Sequence, residues 1–397
     1  MINKKLDEIE VSYIQHLIDE QIIERKTLEY KSELPGNTSD EKKKFLASVS
    51  SFANAIGGDL IYGIIEDRDT GAPQSPLEGI SISSVDQEIL RLEQIIRDGI
   101  EPNIPSYYLE IREIALSNNN YVLIIRVKKS SLAPHRISFK TWHRFYSRST
   151  NGKYLMDIQE LRSSFILSEI VSTKVKNFKE EQLSSIISGR ISIPLYNKAK
   201  IILHLIPIEA FSLSKIYEIE RIARIRTNFR PMFLSGGWNE RYNLDGYLAH
   251  YTEENRESSA YVQLFRNGII EAVEDYALKV TNKKIIPITD IEGRLITFTK
   301  DYLDVQKLLD IEGPILFSLT FYGVKGYFYP PPSGSGNIYP IERDLLLFPE
   351  IIFEKIDIEL VEIGKKLRPC YDAIWNSVGY SKSPNYNQEG EWVQLRM

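Results

Sequence analysis

The sequence predicts an α/β protein of the α+β kind. We expect a mixed sheet with flanking helices in the first part and a separate α/β domain in the second. Apolar residues at helical spacing alternate with short, almost wholly apolar runs, and a polar turn joins two β-rich runs. A chain of 397 residues is also too long for one ordinary core. We therefore predict domains at 1–172 and 196–397, joined by a linker or bridging helix at 173–195.

Composition narrows the class of protein. The chain is 43% hydrophobic and 26% charged, with a formal net charge of −5, which excludes a mostly disordered chain and a generally basic nucleic-acid-binding protein. A single cysteine, Cys370, excludes disulfide frameworks and cysteine-rich zinc folds. No apolar run approaches the ~20 residues of a membrane helix, and the first residues lack the apolar core of a signal peptide. We expect a cytoplasmic protein.

The elements of the first part follow from periodicity and stop signals. Gly57-Gly58 ends a helical pattern, and Ser84 with Gln87 resembles a capping box that opens another. The pattern predicts helices at 6–23, 40–56, from Ser84 to Gly99 and from about Asp157, and strands at 27–31, 60–65, 107–116, 121–128 and 142–148.

The second part has its own elements and one low-complexity stretch. Residues 330–336, rich in Pro, Gly and Ser, are predicted to form a surface loop. The pattern predicts strands at 200–207, 259–266, 315–328 and 346–353, and helices near 214–224, 268–280 and 355–376.

A carboxylate and an ammonium share one face of the second predicted element. On a strand, Glu29 and Lys31 point to the same side, as in metal-dependent nucleases that pair an acid with a lysine. Glu24 has the wrong parity for that face and would reach it from the preceding turn. Asp67 follows the apolar strand, at the end where α/β folds place their sites. Charged residues at strand ends are more often simply solvated, so spacing alone leaves both interpretations open.

The same residues carry a family resemblance. Glu24-x4-Glu29-Tyr30-Lys31, the segment 51–58 with the pattern F-A-N-x-x-G-G, and the segment 60–67 resemble the Schlafen AlbA-like domain family over about residues 1–165. The resemblance implies a nuclease that cuts structured RNA, tRNA especially. It also implies that Glu24, Glu29 and Asp67 hold Mg²⁺ or Mn²⁺ and activate water, while Lys31 supports the phosphate.

A basic segment accompanies this pattern. Residues 121–165 contain nine basic side chains against two acidic ones, with aromatic residues interleaved, as nucleic-acid surfaces often have. Solvated arginines and core aromatics would give the same pattern. The residues predicted to bind nucleic acid are Arg126, Lys128, Arg136, Lys140, Arg144 and Arg148.

Two functions and one assembly follow as expectations. The first function is a metal-dependent endoribonuclease acting on tRNA or another folded RNA, with a host-defence role by analogy. The alternative is a non-catalytic nucleic-acid-binding or transcription-regulatory module. Because one chain has one acid set and one basic segment, we expect a homodimer whose basic segments face a shared groove, or else a second wall supplied by the C-terminal half.

Overall fold

The chain divides into two compact units, Met1–Ser172 and Thr173–Met397. The computed structural model describes residues 2, 4–67, 70–195, 199–211, 217–223, 229–232, 237–252, 258–275, 277–278, 284–329 and 339–393. Both units mix helices and sheets, which confirms the predicted α+β class. The predicted loop at 330–336 lies outside the described residues. Within the described part, no helix combines the length and hydrophobicity that crossing a bilayer requires.

The first unit contains two four-stranded sheets and the start of a long helix. The strand order is β1-β2-β5-β4 in the first sheet and β3-β6-β7-β8 in the second. β1 and β2 pair in parallel, whereas the other pairs are antiparallel, so the first sheet is mixed as predicted. The elements are α1 (Val11–Asp19), β1 (Leu28–Lys31), α2 (Ser39–Asn54), β2 (Gly58–Tyr62), α3 (Val85–Gly99), β3 (Ile100–Glu101), β4 (Leu109–Ala115), β5 (Tyr121–Val127), β6 (Arg136–Phe139), β7 (Trp142–Ser149), β8 (Gly152–Leu155) and α4 (Ile158–Ile187).

Both faces of the first sheet are buried. On one face Leu60 and Tyr62 pack with α2 and α3, and on the other Ile61 packs with α1. Burial on both sides explains why β2 has almost no polar residue in its sequence. The sheet thereby fixes the carboxyl ends of β1 and β2 side by side.

The corner between α2 and β2 explains the F-A-N-x-x-G-G pattern. Gly57 has φ of +79°, where side chains other than glycine are strained. A Cβ at Gly58 would overlap the Phe52 ring and approach the Thr27 carbonyl. The Asn54 side chain donates to two backbone carbonyls of the second sheet and accepts a backbone N–H there, so it joins α2 to that sheet. The pattern is therefore structural in this chain.

Helix starts differ in detail from the predictions. The capping box occurs at Thr38 and Glu41, at the start of α2. Ser84 precedes α3 as expected, but its side chain makes no capping hydrogen bond. The predicted helix at 6–23 is shorter, because only α1 and a 3₁₀ turn at Leu6–Glu8 form there.

The second unit is one large antiparallel sheet with helices. The strand order is β10-β11-β12-β13-β9-β14-β15, and β16 also pairs with β14. Helices α6 and α7 contribute to the main core on one face, and the α4 residues Phe178 and Ile186 belong to smaller clusters on the sheet. The elements are β9 (Lys200–Pro207), α5 (Glu220–Ala223), β10 (Asn239–Tyr242), β11 (Gly246–Thr252), β12 (Ser258–Phe265), β13 (Ile270–Glu274), α6 (Ile288–Leu308), β14 (Ile315–Tyr322), β15 (Leu345–Leu347), β16 (Ile351–Phe353) and α7 (Leu360–Asn376).

Two predictions for the second part need correction. The segment 268–280 contains strand β13 instead of a helix, because it pairs with a strand on each side. The predicted strand 346–353 is two short strands, and Pro349, which lacks a backbone N–H, lies between them. Helix α6 and strands β10 and β11 were not predicted. Only part of the predicted helix at 214–224 lies in the described residues, as α5.

Candidate functional site

A lysine surrounded by three carboxylates lies where β1 and β2 end. The Nζ atom of Lys31, the last residue of β1, is 3.5 Å from Glu24 Oε1, 3.4 Å from Glu29 Oε1 and 3.8 Å from Glu66 Oε1. We call these four residues the Lys31 cluster. Glu29 is buried, whereas the other three side chains are each about one-third exposed and can be reached from solvent.

Local backbone geometry assembles the cluster. Glu24 reaches it from the turn before β1, as predicted, and accepts the backbone N–H of Tyr30 at 2.6 Å. Beyond β2, Gly63 adopts φ of +97° and donates its N–H to the Lys31 carbonyl at 2.8 Å. This bend after two parallel strands brings Glu66 back to Lys31.

Glu29 is held ionised by cations from three different elements. Lys31 of β1 lies 3.4 Å from one oxygen of its carboxylate, Lys153 of β8 donates to the same oxygen at 3.2 Å, and Arg148 of β7 pairs with the other oxygen. The hydroxyl of Ser48 in α2 also donates to the carboxylate, at 2.9 Å. Burial by itself would raise the pKa of Glu29, but the charges of Lys153, Arg148 and Lys31 lower it to about 2. Glu29 is therefore a fixed negative charge at every physiological pH.

Glu66 behaves in the opposite way. Burial, a hydrogen bond with Glu24 and the neighbouring carboxylates raise the pKa of Glu66 to about 7, although Lys31 opposes the change. The three carboxylates raise the pKa of Lys31 despite its burial, so the ammonium stays charged. At neutral pH the cluster therefore holds one permanent cation and one carboxyl group that exchanges its proton.

Asp67 points into its own loop. Its carboxylate accepts the backbone N–H and the hydroxyl of Thr70, each at 2.9 Å, and the side-chain amide of Gln74 at 3.2 Å. Sequence reasoning placed Asp67 with Glu24 and Glu29, whereas the structure brings the preceding residue, Glu66, to Lys31. The adjacent Glu66-Asp67 pair left this choice open, and the bend at Gly63 decides it.

The cluster does not fit a resident metal ion as it stands. Carboxylate oxygens are suitable ligands for Mg²⁺ or Mn²⁺. Among the described residues, however, no group of three or more His, Cys, Asp or Glu is arranged to hold one. The Lys31 ammonium already contacts the three carboxylates, and Glu29 has further cationic partners. The Mg²⁺ or Mn²⁺ requirement stays a prediction.

Two of the predicted nucleic-acid-binding residues are buried. Arg126, on the central strand β5, donates to Asp59 at 2.6 Å and to the Lys4 carbonyl at 2.7 Å, so it holds the N-terminal segment. Arg148 is enclosed with Glu29 and lies 4.1 Å from the Phe52 ring. Neither guanidinium is on the surface, which corrects their assignment to a nucleic-acid interface.

The other four predicted basic residues are at least partly exposed. Lys128 pairs with Glu110 at 3.0 Å, and Arg136 pairs with Glu101 at 2.6 Å. Lys140 and Arg144 lie on the hairpin formed by β6 and β7. Exposed positive charge therefore concentrates on that hairpin.

The described part of the second unit has buried polar clusters instead of an open one. Glu292 accepts hydrogen bonds from Trp375, Trp392, Asn385 and Ser383, at 2.7 to 3.3 Å. Burial raises the pKa of Glu292, although these four donors oppose the rise. Glu292 thereby joins α6 to α7 and to residues 383–392 by hydrogen bonds within the unit.

The first unit is thus an α+β domain with a mixed sheet and an acid–lysine cluster at the ends of two parallel strands. Residues 24–157 match the family model described as Schlafen, AlbA_2, which confirms the predicted resemblance for this stretch. The family that this stretch resembles includes nucleases.

Solved structures and curated proteins add little to this match. One similar structure is the N-terminal domain of a protein described as related to the ATP-dependent DNA helicase RecG, from Nitrosomonas europaea. It is 21% identical, covers 29% of this chain and 71% of its own, and has a TM-score of 0.23. Another is the DIP2311 protein from Corynebacterium diphtheriae, 16% identical over 37% of this chain and 30% of that protein, with a TM-score of 0.25. No curated protein matches the chain.

Proposed function

We propose that the first unit is an endoribonuclease domain that cleaves tRNA or other folded RNA at the Lys31 cluster. The observation that carries the proposal is a reachable ammonium in contact with three carboxylates, one of which titrates near neutral pH. The family match supports the same class of reaction.

The chemistry follows from the two kinds of charge in the cluster. In phosphodiester cleavage the attacking oxygen gives its proton to a base as it bonds to phosphorus, the bond from phosphorus to the leaving oxygen breaks, and the leaving oxygen takes a proton from water. A cation stabilises the negative charge on the phosphate oxygens. Glu66 is the base, because its pKa, raised to about 7, makes it a stronger proton acceptor than an ordinary carboxylate. Lys31 is the cation, and Glu24 and Glu29 keep it charged and in place.

The test is cleavage of tRNA by the purified full chain, with Mg²⁺, with Mn²⁺ and with EDTA in parallel. We expect cleavage that rises as the pH passes through about 7, because Glu66 must lose its proton to act as a base. Glu66→Gln and Lys31→Met should each reduce the rate by about 100-fold or more. The exposed Glu33 provides a matched control, and Glu33→Gln should cleave like the wild type.

Two results would contradict the nuclease proposal. Absence of cleavage under all three metal conditions would sink the proposal, and so would undiminished cleavage by Glu66→Gln and Lys31→Met. Cleavage that persists in EDTA would overturn the predicted Mg²⁺ or Mn²⁺ requirement while leaving the roles of Glu66 and Lys31 intact.

One observation favours the second candidate, a nucleic-acid-binding or regulatory module without catalysis. Glu29 is fully engaged by Ser48, Arg148 and Lys153, as a structural carboxylate would be. Such a module would bind nucleic acid with a strong salt dependence and would be indifferent to metal ions and to Glu66→Gln.

The homodimer and the host-defence role are proposals of the same kind. The dimer rests on the presence of one Lys31 cluster and one exposed basic hairpin in the described part of a single chain, since folded RNA is wide. Light scattering tests it, because a particle of 45.8 kDa that cuts RNA at nanomolar concentration excludes the dimer. The host-defence role rests on the family resemblance alone.

A further inference from the structure

The exposed basic residues of the first unit differ in whether a carboxylate neutralises them. Lys128 pairs with Glu110 of β4, and Arg136 pairs with Glu101 of β3. Among the described residues, no carboxylate pairs with Lys140 or Arg144. An unpaired cation keeps its full attraction for an anion from solution, whereas a paired one must first give up its partner.

The position of Lys140 adds a second observation. Phe139 and Trp142 face each other across the hairpin, so Lys140 and Thr141 form a two-residue turn. Lys140 has φ of +54°, a conformation that such turns usually give to glycine or asparagine.

Two cations lie at the Trp142 ring, whereas Lys140 Nζ lies 5.5 Å from the ring of Phe139. Lys43 Nζ of α2 and Arg144 Cζ lie 5.1 Å and 5.4 Å from the Trp142 ring, within cation–π distance. Lys140 donates to Ser39 Oγ at 2.6 Å, in the first turn of α2, where the helix dipole adds partial positive charge. The nearby acids are engaged, because Asp40 pairs with Lys43 and Glu41 completes the capping box.

We propose that Lys140 and Arg144, the two exposed cations of the β6–β7 hairpin that no described carboxylate pairs with, bind the phosphate backbone of RNA. This inference rests on the proposed function only for the choice of RNA as the ligand. The Trp142 ring is already in contact with two cations, so it holds charges in place instead of stacking on a base. The site therefore positions the RNA backbone and does not read its sequence.

The test measures binding separately from cleavage. The full chain is titrated into a fluorescein-labelled RNA duplex in EDTA, and log K is plotted against the logarithm of the KCl concentration. The variant is Lys140→Asn with Arg144→Gln, since asparagine tolerates the positive φ of the turn. Its slope should be shallower than that of the wild type by about 2, one contact for each cation removed.

Arg97→Gln is the matched control. It removes one exposed positive charge of the first unit that lies on α3 and not on the hairpin. Its slope should equal that of the wild type. An unchanged slope for the double variant, or an equal loss for Arg97→Gln, would overturn the phosphate site. Thermal melting of each variant confirms that the fold is intact.

The outcomes also separate this inference from the nuclease proposal. If the wild type binds the duplex without cutting tRNA and the double variant has a shallower slope, the phosphate site is supported and the nuclease proposal is contradicted. A double variant that binds like the wild type removes the phosphate site, whether or not the protein cleaves RNA. A wild type that does not bind the duplex overturns both.

Discussion

Replacing Glu29 with glutamine tests whether the cationic network around this buried carboxylate stabilises the first unit. On folding, the pKa of Glu29 falls from 4.5 to about 2. At 1.36 kcal/mol per pKa unit, this corresponds to about 3 kcal/mol of stability at pH 7. Glutamine imitates the protonated acid, so Glu29→Gln should lose about this amount.

The pH dependence of the loss gives the sharper test. Because the folded pKa lies below the unfolded one, the stabilisation is present above about pH 4.5 and is lost as the pH falls through about 2. At pH 3 the same two values leave roughly 1.4 kcal/mol. The difference between wild type and Glu29→Gln should therefore shrink by about half between pH 7 and pH 3.

Urea unfolding followed by circular dichroism measures both quantities, and hydrogen exchange of β1 and α2 peptides assigns the transition to the first unit. Glu33→Gln is the control, since Glu33 is exposed and follows the same strand. A loss below about 1 kcal/mol at pH 7, or a loss that is the same at pH 3, would refute the reasoning, because neither is compatible with a carboxylate held ionised by Arg148 and Lys153.

Two further predictions concern the joints within each unit. Asn54→Ala removes three hydrogen bonds between α2 and the second sheet and leaves buried backbone groups unpaired. It should therefore lower the free energy of unfolding in urea by about 2–4 kcal/mol. Ser39→Ala, at the other end of α2, is the control and should change that free energy by less than about 1 kcal/mol. Glu292→Gln presents an amide N–H₂ to donors that need an acceptor, so it should expose residues 383–393 to limited proteolysis; unchanged cleavage kinetics would contradict this.

Sequence reasoning worked where the signal is local. Strand β1, helix α2 and strand β2 were placed within about three residues, because apolar periodicity and the Gly57-Gly58 stop depend only on neighbouring positions. The strand β13 was mistaken for a helix, since its glutamates and alanine favour a helix locally while pairing with β9 and β12 determines the outcome.

The site was predictable to the same extent. Glu24, Glu29 and Lys31 come together as the spacing suggested. Glu66 was missed, because the choice between it and Asp67 depends on the direction of the chain after Gly63. The burial of Arg126 and Arg148 could not be read from the sequence, since each is neutralised by an acid that is distant along the chain.

The ion network of Glu29 also links β1 to residues more than a hundred positions later in the chain. Two of its three cationic partners, Arg148 and Lys153, follow it by 119 and 124 residues. A recombinant fragment that ends before Lys153 would contain β1, α2 and β2, yet it would bury a carboxylate without its counter-charges. During synthesis the same separation delays completion of the first unit until the β7–β8 hairpin has left the ribosome, whatever structure the earlier strands have formed by then.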